Sequence, residues 1–108
     1  MKSIQYVKRI GLVSRRKDLT PQQFQAHWLE VHAELCKQLP NLRKYAVNLI
    51  RHESSFDIGY DGFSELWFDS EDALKASLAS PEGVRLLADL PNFAEATHPL
   101  VVIEHRML

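Results

Sequence analysis

Two imidazoles lie five residues apart, at His27 and His32, within Leu19-Thr20-Pro21-Gln22-Gln23-Phe24-Gln25-Ala26-His27-Trp28-Leu29-Glu30-Val31-His32-Ala33. Histidine is the side chain whose charge changes nearest neutral pH, so such a ring can take a proton from an enolisable carbon or a phenol and return it elsewhere. His32, one turn after Trp28, is the leading candidate acid or base. The plainer alternative for His32 is an imidazole bonded to a loop carbonyl. His27 is the second candidate, with capping of a sheet edge as its structural alternative. The two do not form a zinc pair, because zinc helices use four-residue spacing, whereas five residues on an α-helix leave the rings about 140° apart. His52, His98 and His105 are scattered over strand ends and loops with no carboxylate at motif spacing. A single histidine can ligate haem, but a lone histidine is far more often structural, and no cofactor or metal is expected.

Three polar residues on strands, Tyr45, Asn48 and Glu65, are candidates to orient or polarise a ligand, with Trp28 as a further ligand contact and Trp67 and Phe68 as surfaces on which a planar ligand could stack. Each also has a structural reading. A buried hydroxyl or amide needs a hydrogen-bond partner, and a tryptophan at helical or strand spacing is most often core. Glu65, flanked by Phe63 and Trp67, should either have a raised pKa through desolvation or pair across the sheet with Arg43 or Arg51; the ion pair carries the larger share. Cys36 has no histidine base in register and reads as a small buried residue. The glycines are dispersed, so no phosphate-binding loop supports a nucleotide cofactor.

The helix that carries both histidines is well marked. Thr20 can act as N-cap, Pro21 suits the first helical position, and Gln23 stands where a capping box wants Glu or Gln. At about 100° per residue, Phe24, Trp28, Val31, Leu35 and Leu39 form one inward stripe with His27 and His32 on its two shoulders. Pro40 ends the helix. A strand rich in β-branched and aromatic residues is expected over 3–14, a second over 43–52 and a third over 63–69. In the second, Tyr45, Val47 and Leu49 share a face. In the third, Phe63, Glu65 and Trp67 oppose Ser64, Leu66 and Phe68. Ser70 and Ser80 each start a helical piece, the latter running from Pro81 to Leu90. Residues 93–99 read as a connection, and a last strand begins at Leu100 and ends near Arg106.

Strand, helix, strand, strand, helix, strand suggests an α+β, ferredoxin-like βαββαβ arrangement with both helices on one face of an antiparallel sheet. Apolar residues on both faces of several strands then call for a cover on the second face. A homodimer made by sheet-on-sheet contact supplies it.

The chain has 108 residues, 45% of them hydrophobic and 25% charged, with a formal net charge of -1. One domain spanning 1–108 follows from that length, with a modest core. The balance of charge gives no reason to expect nucleic acid or an anionic membrane as partner. Arg15-Arg16-Lys17 is followed by Asp18 and reads as a solvated turn. A single cysteine excludes an intrachain disulfide and points to a reducing compartment, and no signal-like or membrane-spanning run is present, so a cytoplasmic location is expected.

With these residues in hand, the chain resembles the EthD family of dimeric α+β barrel proteins. The resemblance runs through Leu19-Thr20-Pro21, Phe24, His27-Trp28, His32-Ala33, Pro40-Asn41-Leu42-Arg43-Lys44-Tyr45, Asp61-Gly62-Phe63, Glu65-Leu66-Trp67-Phe68-Asp69-Ser70, Ala88-Asp89 and Phe93. It implies a ferredoxin-like monomer whose sheet pairs with that of a second copy, and a small-molecule pocket between sheet and helices. The family takes its name from a protein associated with ethyl tert-butyl ether degradation. The wider superfamily includes muconolactone isomerases, polyketide cyclases, metal-free monooxygenases and haem-binding enzymes. A methylmuconolactone methylisomerase has a histidine near the position of His32, ahead of a similar Pro-x-Leu-x-Lys-Tyr segment, and differs in lacking His27-Trp28 and by one residue in helix length.

The resemblance and the residues together give the expected function. It is binding of a compact apolar or aromatic metabolite, with cofactor-independent isomerase, lyase or cyclase chemistry in a catabolic pathway. The alternatives are a non-catalytic accessory protein of an oxidative degradation system and a cofactor-free monooxygenase.

Overall fold

The structure is a computed structural model that describes residues 6–108. The part of the first strand expected at 3–5 lies outside the described residues. Strand β1 (Tyr6–Arg15) leads into helix α1 (Pro21–Ala26), which continues through a π-helical turn (His27–His32) into α2 (Ala33–Cys36). Strands β2 (Lys44–Leu49) and β3 (Gly62–Phe68) follow, then helices α3 (Glu71–Ala79) and α4 (Pro81–Asp89), a short 3-10 turn (Leu90–Asn92) and strand β4 (Ala94–Glu104). The sheet order is β2-β3-β1-β4 with every neighbouring pair antiparallel, the ferredoxin-like arrangement the sequence order implies.

Local chemistry explains the helix starts. The Thr20 hydroxyl accepts from the Gln23 amide and the Gln23 side chain accepts from the Thr20 amide, so two otherwise orphaned donors are satisfied reciprocally. Ser70 and Ser80 accept from the amides of Ala73 and Gly83 in the same way. The core fills the layer between sheet and helices in two adjoining clusters. One centres on Cys36, Leu39, Leu66, Phe68, Leu74 and Leu86, the other on Val13, Phe24, Trp28, Phe93 and Ala94. At Gly62 the first helix packs directly on the sheet backbone, since a Cβ there would sit 2.8 Å from the Trp28 ring and 2.5 Å from the Asn48 carbonyl oxygen.

Two expectations are corrected by the fold. The inward stripe does not run through Val31, which is 46% exposed, but through His32, Ala33 and Cys36. The π turn is the reason: the Ala33 amide donates to the Trp28 carbonyl five residues back, and the wider turn carries the inward position one residue further along the chain. The last strand begins at Ala94 rather than Leu100, with residues 94–99 paired to β1 instead of forming a connection. Pro99 is tolerated because β4 is an edge strand, where a missing amide need not break a second ladder.

Strand parity matches expectation. Val7, Arg9, Gly11 and Val13 of β1 register with Phe68, Leu66, Ser64 and Gly62 of β3 on the helix side. The opposite face carries Lys8, Ile10, Leu12, Phe63, Glu65 and Trp67 with no helix over it. Among the described residues no helix is long and apolar enough to cross a membrane.

Candidate functional site

The π turn does more than shift the stripe. On an α-helix His27 and His32 would diverge, but i→i+5 bonding places a residue nearly above the one five later. Both rings therefore meet one carboxylate, a convergence the α-helical reading excluded. Asp89 Oδ2 lies 2.9 Å from His32 Nδ1 and 3.0 Å from His27 Nε2. Asn92 Nδ2 donates to the other Asp89 oxygen at 3.0 Å. Phe93, fully buried, stacks on His27 at 5.1 Å between centroids and leans on His32 at 4.8 Å, so both imidazoles are fixed by packing as well as by hydrogen bonds.

His32 is 7% exposed and Asp89 8%. Burial is the largest influence on His32 and pushes its pKa below the ordinary value, against the raising effect of Asp89, so the ring is neutral at pH 7. Burial alone would raise the Asp89 carboxyl, but hydrogen bonds from Asn92, His32 and His27 together hold it below the usual range, and it is ionised. An ionised carboxylate accepts only, so the proton between them belongs to His32 Nδ1. Nε2 is left as the unprotonated nitrogen, without a hydrogen-bond partner among the described residues. This is the arrangement of a base whose orientation and tautomer are set by a buried acid.

His32 lines a cavity of about 30 Å³ enclosed between the first helix, α4 and the sheet, together with Arg9, Gly11, Trp28, Cys36, Tyr45, Ser64 and Leu66. That space holds about two water-sized atoms. Tyr45 is thus brought together with His32 and Trp28, its hydroxyl buried without a hydrogen bond. Burial pushes the Tyr45 phenol well above its ordinary value and the Cys36 thiol up to about 12, so both are protonated and Cys36 is no nucleophile. Among the described residues no three His, Cys, Asp or Glu side chains group as a metal site.

The other candidates do not share this cavity. Asn48, Glu65 and Trp67 point to the uncovered face of the sheet, a full sheet thickness from His32. Glu65 does form an ion pair, but with Lys8 at 2.9 Å rather than with Arg43 or Arg51. Arg43, whose strand parity is opposite, pairs with Asp69, and Arg51 pairs with Glu53. Desolvation would raise the Glu65 pKa, yet the hydrogen bonds from Lys8 and Asn48 outweigh it and the carboxyl is held low. Glu104 accepts from Trp67 Nε1 at 2.9 Å, and the Lys8 and Lys44 ammonium groups lie 5.0 and 4.6 Å from the Trp67 ring. Trp67 and Glu104 also line a separate, open cleft of about 280 Å³ with Tyr6, Arg43, Lys44 and Arg106.

The sequence marks Asp89 and Phe93 as points of resemblance, with Phe93 also opening the expected connection, and offers neither these two nor Arg9 as a site residue. Signals for two of them were present. Asp89 closes the last turn of α4, where a negative charge opposes the helix dipole and needs another reason to be there. Arg9 interrupts the inward face of β1 with a charge.

A family model described as EthD domain matches residues 16–97, a span that contains the first helix, both histidines and Asp89. The chain belongs to the EthD family. A relative from Rhodococcus erythropolis, an uncharacterized 11.0 kDa protein of the thcB-thcC intergenic region, is 28% identical over 74 residues, covering 68% of this chain and 72% of its own. Among solved structures, an EthD family protein of Bacillus halodurans is 25% identical, with a TM-score of 0.76 over 94% of this chain and 99% of that one. A dimeric ferredoxin-like protein of unknown function from Thermobifida fusca is 18% identical, with a TM-score of 0.73 over 91% and 90%. SnoaB of Streptomyces nogalater, a cofactor-independent oxygenase, is 13% identical, with a TM-score of 0.70 over 96% and 97%. The last two share the fold.

Proposed function

We propose that this EthD protein binds a compact apolar or aromatic metabolite in the cavity beneath the first helix and moves a proton on it without a cofactor. The observation that carries this reading is the buried Asp89–His32 pair, in which Nδ1 is held by the carboxylate and the ring lines the cavity. In the step, Nε2 takes a proton from a carbon next to a carbonyl, the C–H electron pair moves onto the carbonyl oxygen as an enolate, and the proton returns at another atom. Asp89 stabilises the imidazolium formed in between. Isomerisation, lactone rearrangement and cyclisation in a cytoplasmic catabolic pathway all use such a step. His27 positions Asp89, while Tyr45 and Trp28 contact the ligand.

The test is a thermal-shift screen across phenols, lactones and tert-alkyl ethers, followed by turnover assays on His32→Ala. A ligand at 100 times its Kd stabilises by about 2.7 kcal/mol, well within detection. His32→Ala is expected to keep binding and lose turnover by about 10²–10⁴-fold. Full turnover in the variant would end the proton-transfer reading. Binding with no turnover in either protein would favour an accessory role in an oxidative degradation system.

A second copy on the uncovered sheet face is part of the same reading, supported by Ile10, Leu12 and Phe63 on that face and by the dimeric assembly of the T. fusca protein. Light scattering at micromolar concentration is expected to give twice the 12.4 kDa chain mass, and a monomer would remove the proposal.

A further inference from the structure

The cavity holds polar groups that the proton-transfer step does not use. Arg9 projects from the inward face of β1 into the apolar layer, and among the described residues its guanidinium makes no hydrogen bond or ion pair. Arg9 is half-buried, and a cation drawn partly out of water is normally paired, because losing hydration without a partner is costly. The guanidinium lies over Gly11: Arg9 Nη1 is 3.2 Å, and Ser64 Oγ 2.9 Å, from the point a Cβ on that glycine would occupy. With no side chain on Gly11, the Ser64 hydroxyl and the Arg9 guanidinium close in side by side over its backbone. The Tyr45 hydroxyl, buried without a hydrogen bond, lines the same space. Three unspent donors meeting in one cavity describe the outline of an absent acceptor.

We propose that the cavity takes a small organic acid, its carboxylate received by Arg9, Ser64 and the Tyr45 hydroxyl above Gly11, and its apolar body lying against Trp28 and Leu66 within reach of His32. The space of about 30 Å³ suits the two oxygens of a carboxylate, while the body of the acid requires the surrounding side chains to give way. A carboxylate on a guanidinium in a low-dielectric site is a strong, charge-assisted contact that a neutral isostere cannot reproduce. Desolvation depresses the Arg9 pKa, in keeping with a cation held ready for a charge that the protein itself does not supply. The assignment rests on this cavity being the ligand site proposed above.

The experiment is an NMR titration of the full chain, following backbone amides and the Arg9 Nε–H, with benzoate and its neutral counterpart benzamide, on the wild type, Arg9→Met and Gly11→Ala. Benzoate is expected to bind the wild type at least about ten-fold more tightly than benzamide, a margin typical of a single well-placed charged contact. The preference should fall to within about two-fold in Arg9→Met, and Gly11→Ala should weaken benzoate about ten-fold by pushing the Ser64 hydroxyl and the Arg9 guanidinium out of place.

Stability gives a second readout that a merely structural arginine would move the other way. Arg9→Met is expected to raise Tm by a few degrees, because it removes an uncompensated, half-buried charge. Gly11→Ala should leave Tm nearly unchanged, since only side-chain ends must shift. Equal binding of the two probes by the wild type, a preference that survives in Arg9→Met, or a lower Tm in that variant would each overturn the inference while leaving the cavity as a ligand site. Failure of both these probes and the neutral lactones, phenols and ethers to bind would overturn it together with the proposed function.

Discussion

Trp28→Ala is expected to lower the melting temperature by roughly 15–25 °C, the largest stability effect of any single substitution considered for this chain. The indole is 1% exposed and lies against Phe24 at 5.4 Å, edge to face, and Phe93 at 5.9 Å. It also packs onto the bare backbone at Gly62. Truncating a buried tryptophan loses its transfer free energy and leaves a hole, together about 3–5 kcal/mol. Here the hole would open into the cavity that Trp28 already lines, so the surroundings have little to collapse onto. A domain of this size has about 5–15 kcal/mol in total, and the variant would sit near the edge of folding at 37 °C. Trp28→Phe should recover much of the loss. A circular-dichroism melt within 5 °C of wild type would show that the aromatic cluster does not anchor the first helix to the sheet.

Asp89→Asn is expected to have the largest effect on chemistry, about 10²–10⁴-fold in any turnover that passes through His32. The amide keeps the shape of the carboxylate and removes its charge. It also presents an N–H where an acceptor stood, which frees the His32 ring to adopt the wrong tautomer. The same variant can be read without knowing the substrate. Asp89 raises the His32 pKa, so its neutralisation should push that pKa further below the ordinary value, visible as an acid shift of the His32 Cε1–H titration. An unchanged titration would mean that the pair does not exist in solution.

The pH dependence of stability follows with defined sign. The folded His32 pKa lies below 6.5, so between the two values the unfolded chain binds more protons and stability falls as pH drops through that window. Asp89 is held below 3.8; its contribution is present above that value and lost as pH falls through the folded pKa. In Asp89→Asn the second, more acidic loss should be missing.

Much of this was legible in the chain. The capping box at Thr20 and Gln23, the serine caps at Ser70 and Ser80, and the alternation of Phe63, Glu65 and Trp67 against Ser64, Leu66 and Phe68 are signals written within a few residues of one another. They give the elements, their order and the ferredoxin-like sheet. Candidate chemistry was legible as residue type, in that His32 stood out for its place one turn after Trp28.

The arrangement of that chemistry was decided elsewhere. His27 and His32 meet at Asp89, 62 and 57 residues downstream, only because the helix widens into a π turn and α4 delivers its last residue to the same point. Glu65 chose Lys8 over the nearer arginines because cross-strand register and side-chain parity put the ammonium on its face of the sheet. Periodicity and caps act over one or two turns of chain, and so the sequence by itself determined which elements form and which face each strand presents, while the π turn re-aimed the second half of the first helix. Which side chains from distant elements share a cavity depends on how helices dock and strands align, and only the tertiary structure decided that.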